Sequence, residues 1–225
     1  MIPLRDRNPS GVFPVVTVAL ILVNTFVFLY EASLGPAVNT FLAHYALVPA
    51  DVTGSLHYGS VGFTGIARPF FTSMFLHGGW LHLISNMWFL WIFGDNVEDT
   101  LGPARYLLFY LLCGLAAAFT QYAVQTHSTL PMLGASGAIA GVLGAYAVLF
   151  PGARVVTLVP VFFFLQIMEL PAVLMIGYWF VLQILSGSVA ALSPMQGGVA
   201  WWAHVGGFLT GIVLVLLLRP RRVTI

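Results

Sequence analysis

The chain contains no lysine, and all eight of its basic residues are arginines. Charged residues of both signs make up 7% of the sequence, against roughly a quarter in an ordinary soluble domain. So few charges cannot cover a water-soluble globule of 225 residues. The net charge of +1 leaves no electrostatic case for nucleic acid or an acidic partner. Cysteine is nearly absent too. Cys113 stands alone, so no intrachain disulfide can form, and its place beside Gly114 in an apolar run suits a small packing residue. No low-complexity segment or internal repeat is visible, and no soluble domain is expected before or after the apolar part.

What the chain has in abundance is hydrocarbon. Hydrophobic residues make up 60% of it, and the mean hydropathy is +0.96. The apolar residues fall in runs near 12–32, 79–98, 103–126, 134–151, 170–188 and 199–218, close to the roughly 20 residues a membrane-crossing helix needs. The expected fold is all-α: a polytopic membrane protein forming one six-helix domain over residues 1–225. Arg5 and Arg7 precede the first run as in a signal peptide. The run from Val12 to Tyr30 is too long for a signal-peptide core, so it is read as a retained span. Residues 155–169 are expected to form an interfacial or partly buried connection, with the fifth helix starting near Glu169 and Pro171.

Six spans put Arg5, Arg7, Arg105, Arg154, Arg219, Arg221 and Arg222 on one side of the membrane and only Arg68 on the other. The positive-inside rule then makes both termini cytoplasmic, so the second, fourth and sixth spans begin at the outer face. The first outer loop, about 33–78, is unusually apolar, with Phe41, Tyr45, Tyr58, Phe63, Phe70, Phe71 and Phe75. It is expected to pack into the outer leaflet, where its backbone must find internal partners.

Polar groups inside a membrane are costly, so those in spans are candidates for function. Gly134-Ala135-Ser136-Gly137 opens the fourth span. A serine there sits among backbone N–H groups without intrahelical partners, at the end of the helix dipole that favours negative charge. That environment suits a tetrahedral oxyanion, although serine is also a common N-cap. His204 opens the sixth span, followed by Gly207 and Gly211, and histidine is the usual base for a hydroxyl nucleophile. The plainer reading is an interfacial histidine beside Trp201 and Trp202. In the second span, His82 and Asn86 share a helix face, with His77 just outside; an interhelical polar contact would explain them equally well. Ser136, His204, His82 and Asn86 would all lie roughly 5–12 Å below the outer helix ends. One hydroxyl, one base and two donors at a common depth point to a Ser–His dyad. Asp95, Glu98 and Asp99 fall at the opposite end, so no carboxylate completes a triad.

His77, His82-xxx-Asn86, Gly134-Ala135-Ser136-Gly137 and Ala203-His204-xx-Gly207-xxx-Gly211 together resemble the motifs of the rhomboid intramembrane serine proteases, in order, spacing and host helix. The resemblance to the six-helix prokaryotic form covers essentially the whole chain, and by that analogy it implies a bacterial or archaeal plasma membrane as the host. It implies Ser136 as nucleophile, His204 as base, and an oxyanion hole from Asn86, His82 and the Ser136 backbone N–H. Arg68 resembles the arginine of the family's membrane-inserted first loop, and Glu98 the acidic residue ending its second helix, both structural. Gly134, Gly137, Gly207 and Gly211 take the family's small-residue positions. Some relatives place an aromatic ring one turn after the serine, against the histidine. This chain has Ala140 there, which leaves Tyr146 or a water to orient the imidazole.

The function so implied is cleavage of the transmembrane segments of other membrane proteins near the outer side of the bilayer. Single-pass or polytopic substrates would enter past Tyr178, Trp179 and Phe180. The lipid bilayer is the other partner, and no cofactor is expected. The family also offers non-catalytic members that bind and escort membrane proteins; these usually lack the serine or the histidine, and this chain keeps both. His77, His82 and His204 could be read as metal or haem ligands. No carboxylate or thiolate joins them, and a zinc site wants three or four ligands, so no metal is expected. Six spans also suit a transporter, but these carry no charged midplane residue.

Overall fold

A computed structural model describes residues 1–59, 61–192 and 199–220; Arg221 and Arg222, two of the arginines that orient the chain, lie outside the described residues. The elements in chain order are β1 (Ile2–Asp6), α1 (Val15–Ser33), α2 (Val38–Tyr45), α3 (Pro49–Tyr58), α4 (Phe63–Thr72), α5 (Trp80–Leu101), α6 (Pro103–Val124), α7 (Ser136–Leu149), β2 (Arg154–Val161), β3 (Phe164–Pro171), α8 (Ala172–Leu192) and α9 (Trp201–Leu218). Four of the helices, α1, α6, α8 and α9, are long and apolar enough to cross a membrane, and the protein is an integral membrane protein. α5 is as long, but His82, Asn86, Asp95 and Asn96 dilute its hydropathy. α7 is equally apolar but has only 14 residues.

α1, α5, α6, α7, α8 and α9 alternate in direction. Phe28 of α1 meets Trp80 at the start of α5, while Thr17 reaches Glu98 near its end. Gln121, late in α6, meets Ala203, early in α9. α5, α7 and α9 therefore begin together at one end of the bundle, called here the site end. α7 is the axis: every residue from Gly137 to Tyr146 is buried, and α5, α6, α8 and α9 all pack against it. Its contact with α9 is the closest. A Cβ on Gly207 would overlap the Gly137 carbonyl, and one on Gly211 would overlap that of Gly141. Lipid tails are as apolar as leucine, so helices in a membrane gain by close packing of small residues rather than by escape from water. The glycines supply that packing.

At the site end, the segment between α1 and α5 folds into α2, α3 and α4. Leu47 exchanges two backbone hydrogen bonds with Met132, at 3.1 and 2.7 Å, and Leu47 and Val52 form a small core with Ala118 of α6. Arg68 is exposed on α4 with its guanidinium 5.2 Å from the centre of the Tyr45 ring. The segment is thus held by backbone pairing to the α6–α7 connection, by packing on α6 and by its own aromatic contacts.

The opposite end corrects the all-α expectation. β1, β2 and β3 form an antiparallel sheet in that order, and the 155–169 connection is its hairpin, with α8 starting at Ala172. β-branched Val155, Val156, Thr157, Val159 and Val161 favour the extended chain. Pro160 lies beyond Leu158↔Ile2, the last pair with β1, where its missing N–H breaks no ladder bond. The sequence hides the turn because its two residues are Phe162 and Phe163. Phe162 adopts φ +52°, a conformation usually left to glycine or asparagine. The sheet is tied to the bundle by Trp88 Nε1, which donates to the Pro3 carbonyl at 2.7 Å, while Arg7, just after β1, pairs with Glu169 of β3 within the sheet. Asp6 accepts from the Tyr146 hydroxyl at 2.6 Å and from Asn96 at 3.1 Å. Burial pushes the Asp6 carboxyl up, and the Tyr146 hydroxyl partly offsets this.

Glu98, at the same end of α5, is buried and caps α1 from outside. Its carboxylate accepts from the backbone N–H of Val16 and of Thr17, both at 2.8 Å, and from the Thr17 hydroxyl at 2.9 Å. α1 has no side-chain cap of its own, so Glu98 satisfies first-turn donors that would otherwise be orphaned and meets the positive end of the helix dipole. Removing the carboxylate in Glu98→Ala should cost about 3 kcal/mol, read as a lower midpoint of thermal unfolding in detergent, with Glu98→Gln losing less. Gly207→Val should force α9 off α7 and lower the midpoint at least as far. A conservative swap such as Leu216→Ile, on the exposed side of α9, should leave it unchanged.

Candidate active site

The packing of α7 on α9 brings together two side chains 68 residues apart in the chain. Ser136 is the first residue of α7, and His204 lies in the first turn of α9. Ser136 Oγ is 2.7 Å from His204 Nε2. The serine is half-buried and the histidine buried. The start of α9 is held by Gln121 of α6, whose Oε1 accepts from the Ala203 N–H at 3.1 Å, fixing the height at which the imidazole enters.

The approach to Ser136 depends on Gly134. Its φ of +124° is strained for any L residue, and a Cβ there would lie 2.7 Å from the His82 ring. His82 and Asn86 therefore flank the loop that delivers Ser136. Asn86 is 6% exposed, and its Nδ2 finds no hydrogen-bond partner among the described residues. A buried donor left unpaired is expensive unless something else comes to accept from it. His77 packs its ring against His82 at 5.2 Å, and its backbone N–H donates to Glu31 of α1 at 3.3 Å. Burial, helped by the nearby His82, pushes the His77 imidazole down to about 4, so it is neutral at neutral pH.

The second nitrogen of His204 meets a residue that reading the sequence passed over. Nδ1 lies 2.7 Å from Oε1 of Gln183 on α8, whose own amide nitrogen donates to the Trp179 carbonyl at 3.2 Å. Gln183 is the only amide side chain between Ala172 and Leu192, and the cost of an amide in an apolar helix was the signal that could have found it. Tyr146, offered above as a group to orient the imidazole, does not do so. Its hydroxyl is taken by Asp6, and it lies ten residues along α7 from Ser136, about 15 Å away. Ala140 is buried and presents no ring. Trp179 and Trp201 flank His204 instead, with ring centroids at 5.8 and 6.3 Å.

Trp179 and Phe180, read as a substrate gate, both turn toward α9. Phe180 stacks on Phe208 at 4.1 Å, while Tyr178 is exposed. Arg68 and Glu98 stand apart from the site, in the contacts described above. Among the described residues, no group of three or more His, Cys, Asp or Glu side chains could hold a metal ion.

A hydroxyl hydrogen-bonded to an imidazole, beside an amide N–H without a partner among the described residues, can pair a nucleophile with a base and an oxyanion donor, here inside a bundle of apolar helices. Residues 64–221, well over half of the chain, match the rhomboid domain, and the chain belongs to the rhomboid family. It is 33% identical over 133 residues to presenilin-associated rhomboid-like protein A, mitochondrial, of Danio rerio, covering 57% of this chain and 32% of that protein. Identity is 30% over 146 residues to rhomboid protein 1, mitochondrial, of Saccharomyces cerevisiae, covering 63% and 39%. It is 33% over 157 residues to rhomboid-like protein 11, chloroplastic, of Arabidopsis thaliana, covering 66% and 51%. The chain thus spans only a third to a half of the length of these relatives.

Gly134→Ala should lower activity far more than stability, because the strain falls on the loop holding Ser136 and on His82. Reporter cleavage and thermal unfolding, measured on the same detergent preparation, check this.

Proposed function

We propose that this chain is an intramembrane serine endopeptidase that cuts transmembrane segments of other membrane proteins with a Ser136–His204 dyad. The observation that carries the proposal is the 2.7 Å hydrogen bond between Ser136 Oγ and His204 Nε2. It lies where two parallel helices begin, so the nucleophile stands among free backbone N–H groups.

Ser136 attacks the scissile carbonyl while His204 Nε2 takes its proton. The oxyanion that forms is met by the Ser136 backbone N–H, by the unpaired Nδ2 of Asn86 and by His82. His204 returns the proton to the leaving amine, and water then releases the acyl-enzyme by the same steps in reverse roles. A helical peptide keeps its carbonyls in its own hydrogen bonds, so the substrate unwinds at the cleavage point. Small or helix-breaking residues there lower that cost.

In this reading α1, α5, α6, α7, α8 and α9 are the six spans of one domain. α7, about 21 Å long by its rise per residue, is shorter than the roughly 30 Å hydrocarbon core. Ser136 is then sunk below the surface, reached by water from the site end. Arg5, Arg7, Arg105, Arg154 and Arg219 stand at the sheet end and Arg68 at the site end. That asymmetry supports cytoplasmic termini and a site opening outward from a prokaryotic plasma membrane. The α2–α4 segment dips into the outer leaflet, and the substrate passes Trp179 and Phe180 on α8.

The test is a digest of a single-span reporter by the full chain in liposomes. Ser136→Ala should abolish cleavage and labelling by a fluorophosphonate probe, and Asn86→Ala should slow cleavage about 10²–10³-fold. Cutting by Ser136→Ala at the wild-type rate ends the proposal. Absence of both cleavage and labelling in the wild type would favour a non-catalytic escort.

A further inference from the structure

A neutral imidazole carries its proton on one nitrogen and a lone pair on the other. His204 can take the Ser136 proton only if the lone pair is on Nε2, and what Nδ1 meets decides that. Nδ1 meets the Gln183 amide at 2.7 Å. An amide can offer either end. If its NH2 faced Nδ1, the lone pair would sit at Nδ1 and the proton at Nε2, and the base would be disabled.

The choice is made one contact further on. The other end of the Gln183 amide faces the backbone carbonyl of Trp179, one turn earlier on α8, at 3.2 Å. A carbonyl can only accept, so the NH2 group must be on that side. Oε1 therefore faces Nδ1, Nδ1 carries the proton, and the Nε2 lone pair points at the Ser136 hydroxyl. Gln183 is 5% exposed, and Trp179 and Trp201 close the ring in on two sides. Gln121, the other amide near this turn, is committed to the Ala203 N–H and to Gln125.

We infer that Gln183 is a positioning residue that fixes the tautomer and orientation of His204, with the Trp179 carbonyl fixing Gln183 in turn. The inference rests on the dyad reading above and adds a third member to it, supplied by α8. In this relay the acceptor is neutral and keeps the same bond when the ring is protonated, because Nδ1–H donates throughout. Gln183 thus orients the base without adding a charge to an apolar site. It also ties the base to α8, so a displacement of that helix would release the imidazole.

The test compares Gln183→Met and Gln183→Glu in the full chain, in detergent, with a single-span reporter. Methionine matches the shape but cannot accept from Nδ1. Its kcat should fall about 10²-fold with KM unchanged. Glutamate keeps an acceptor at Nδ1 and should recover most of that loss. The ¹⁵N-histidine NMR spectrum, with His204 assigned by its loss in His204→Ala, should show protonated Nδ1 and bare Nε2 in the wild type. In Gln183→Met the tautomers should be mixed. A protonated Nε2 in the wild type overturns the inference, as does a methionine variant with wild-type kcat and spectrum. So does equal impairment of both variants in step with their thermal stability. If the wild type neither cuts nor reacts with a fluorophosphonate, the proteolytic reading fails. The tautomer in the spectrum still decides for or against Gln183.

Discussion

The molecule depends on how closely α7 approaches α9. Hydrophobic burial cannot pull two helices together in lipid, so shape must, and Gly137, Gly141, Gly207 and Gly211 remove the side chains that would hold the backbones apart. Because these glycines recur at four-residue spacing on both helices, contact at one pair enforces contact at the next. The helices lie parallel and in register, and their first turns meet. Ser136 and His204 sit in those first turns, so their hydrogen bond follows from the glycine faces. Gln121 adds the last constraint by holding the Ala203 N–H and with it the start of α9.

Around that axis, buried polar groups take different roles at the two ends. At the sheet end they bind elements together. Glu98 caps α1 from α5, and Asp6 joins β1 to α5 and α7 through Asn96 and Tyr146. At the site end Asn86 Nδ2, both ring nitrogens of His77 and the Ser73 hydroxyl have no hydrogen-bond partner among the described residues, a state that Asn8 Nδ2 shares at the sheet end. Buried polar atoms in such a state call for water or a ligand. Those at the site end lie beside the loop that carries Ser136: Asn86 and His82 flank Gly134, and the Ser73 carbonyl accepts from the Gly134 N–H at 2.9 Å.

Two features escaped the sequence for definable reasons. The sequence of the β2–β3 hairpin suggests only an interfacial or partly buried connection because it lacks alternation: β3 is largely exposed on both faces, and its turn is Phe162-Phe163 instead of Asn-Gly. Periodicity sees a strand only when one face is wet and the other dry. β1 was invisible for a related reason, since five residues next to the first span carry no pattern until β2 supplies a partner. Gln183 stands out in the sequence as a costly amide in an apolar helix, but its contact with His204 is a distance between helices that nothing within α8 carries.

Composition and linear pattern alone determined that this chain belongs in a membrane, and that a serine and a histidine open two of its apolar helices. Those conclusions need only hydropathy, run length and the chemistry of single residues, which are local quantities. Tertiary structure alone decided which groups touch. It joined the N-terminal strand to the hairpin, turned Tyr146 toward Asp6 and away from the imidazole, and set Gln183 against Nδ1 of His204. Each is a contact between residues far apart in the chain, fixed to within a fraction of an ångström by helix packing, and no local property of the sequence carries that distance.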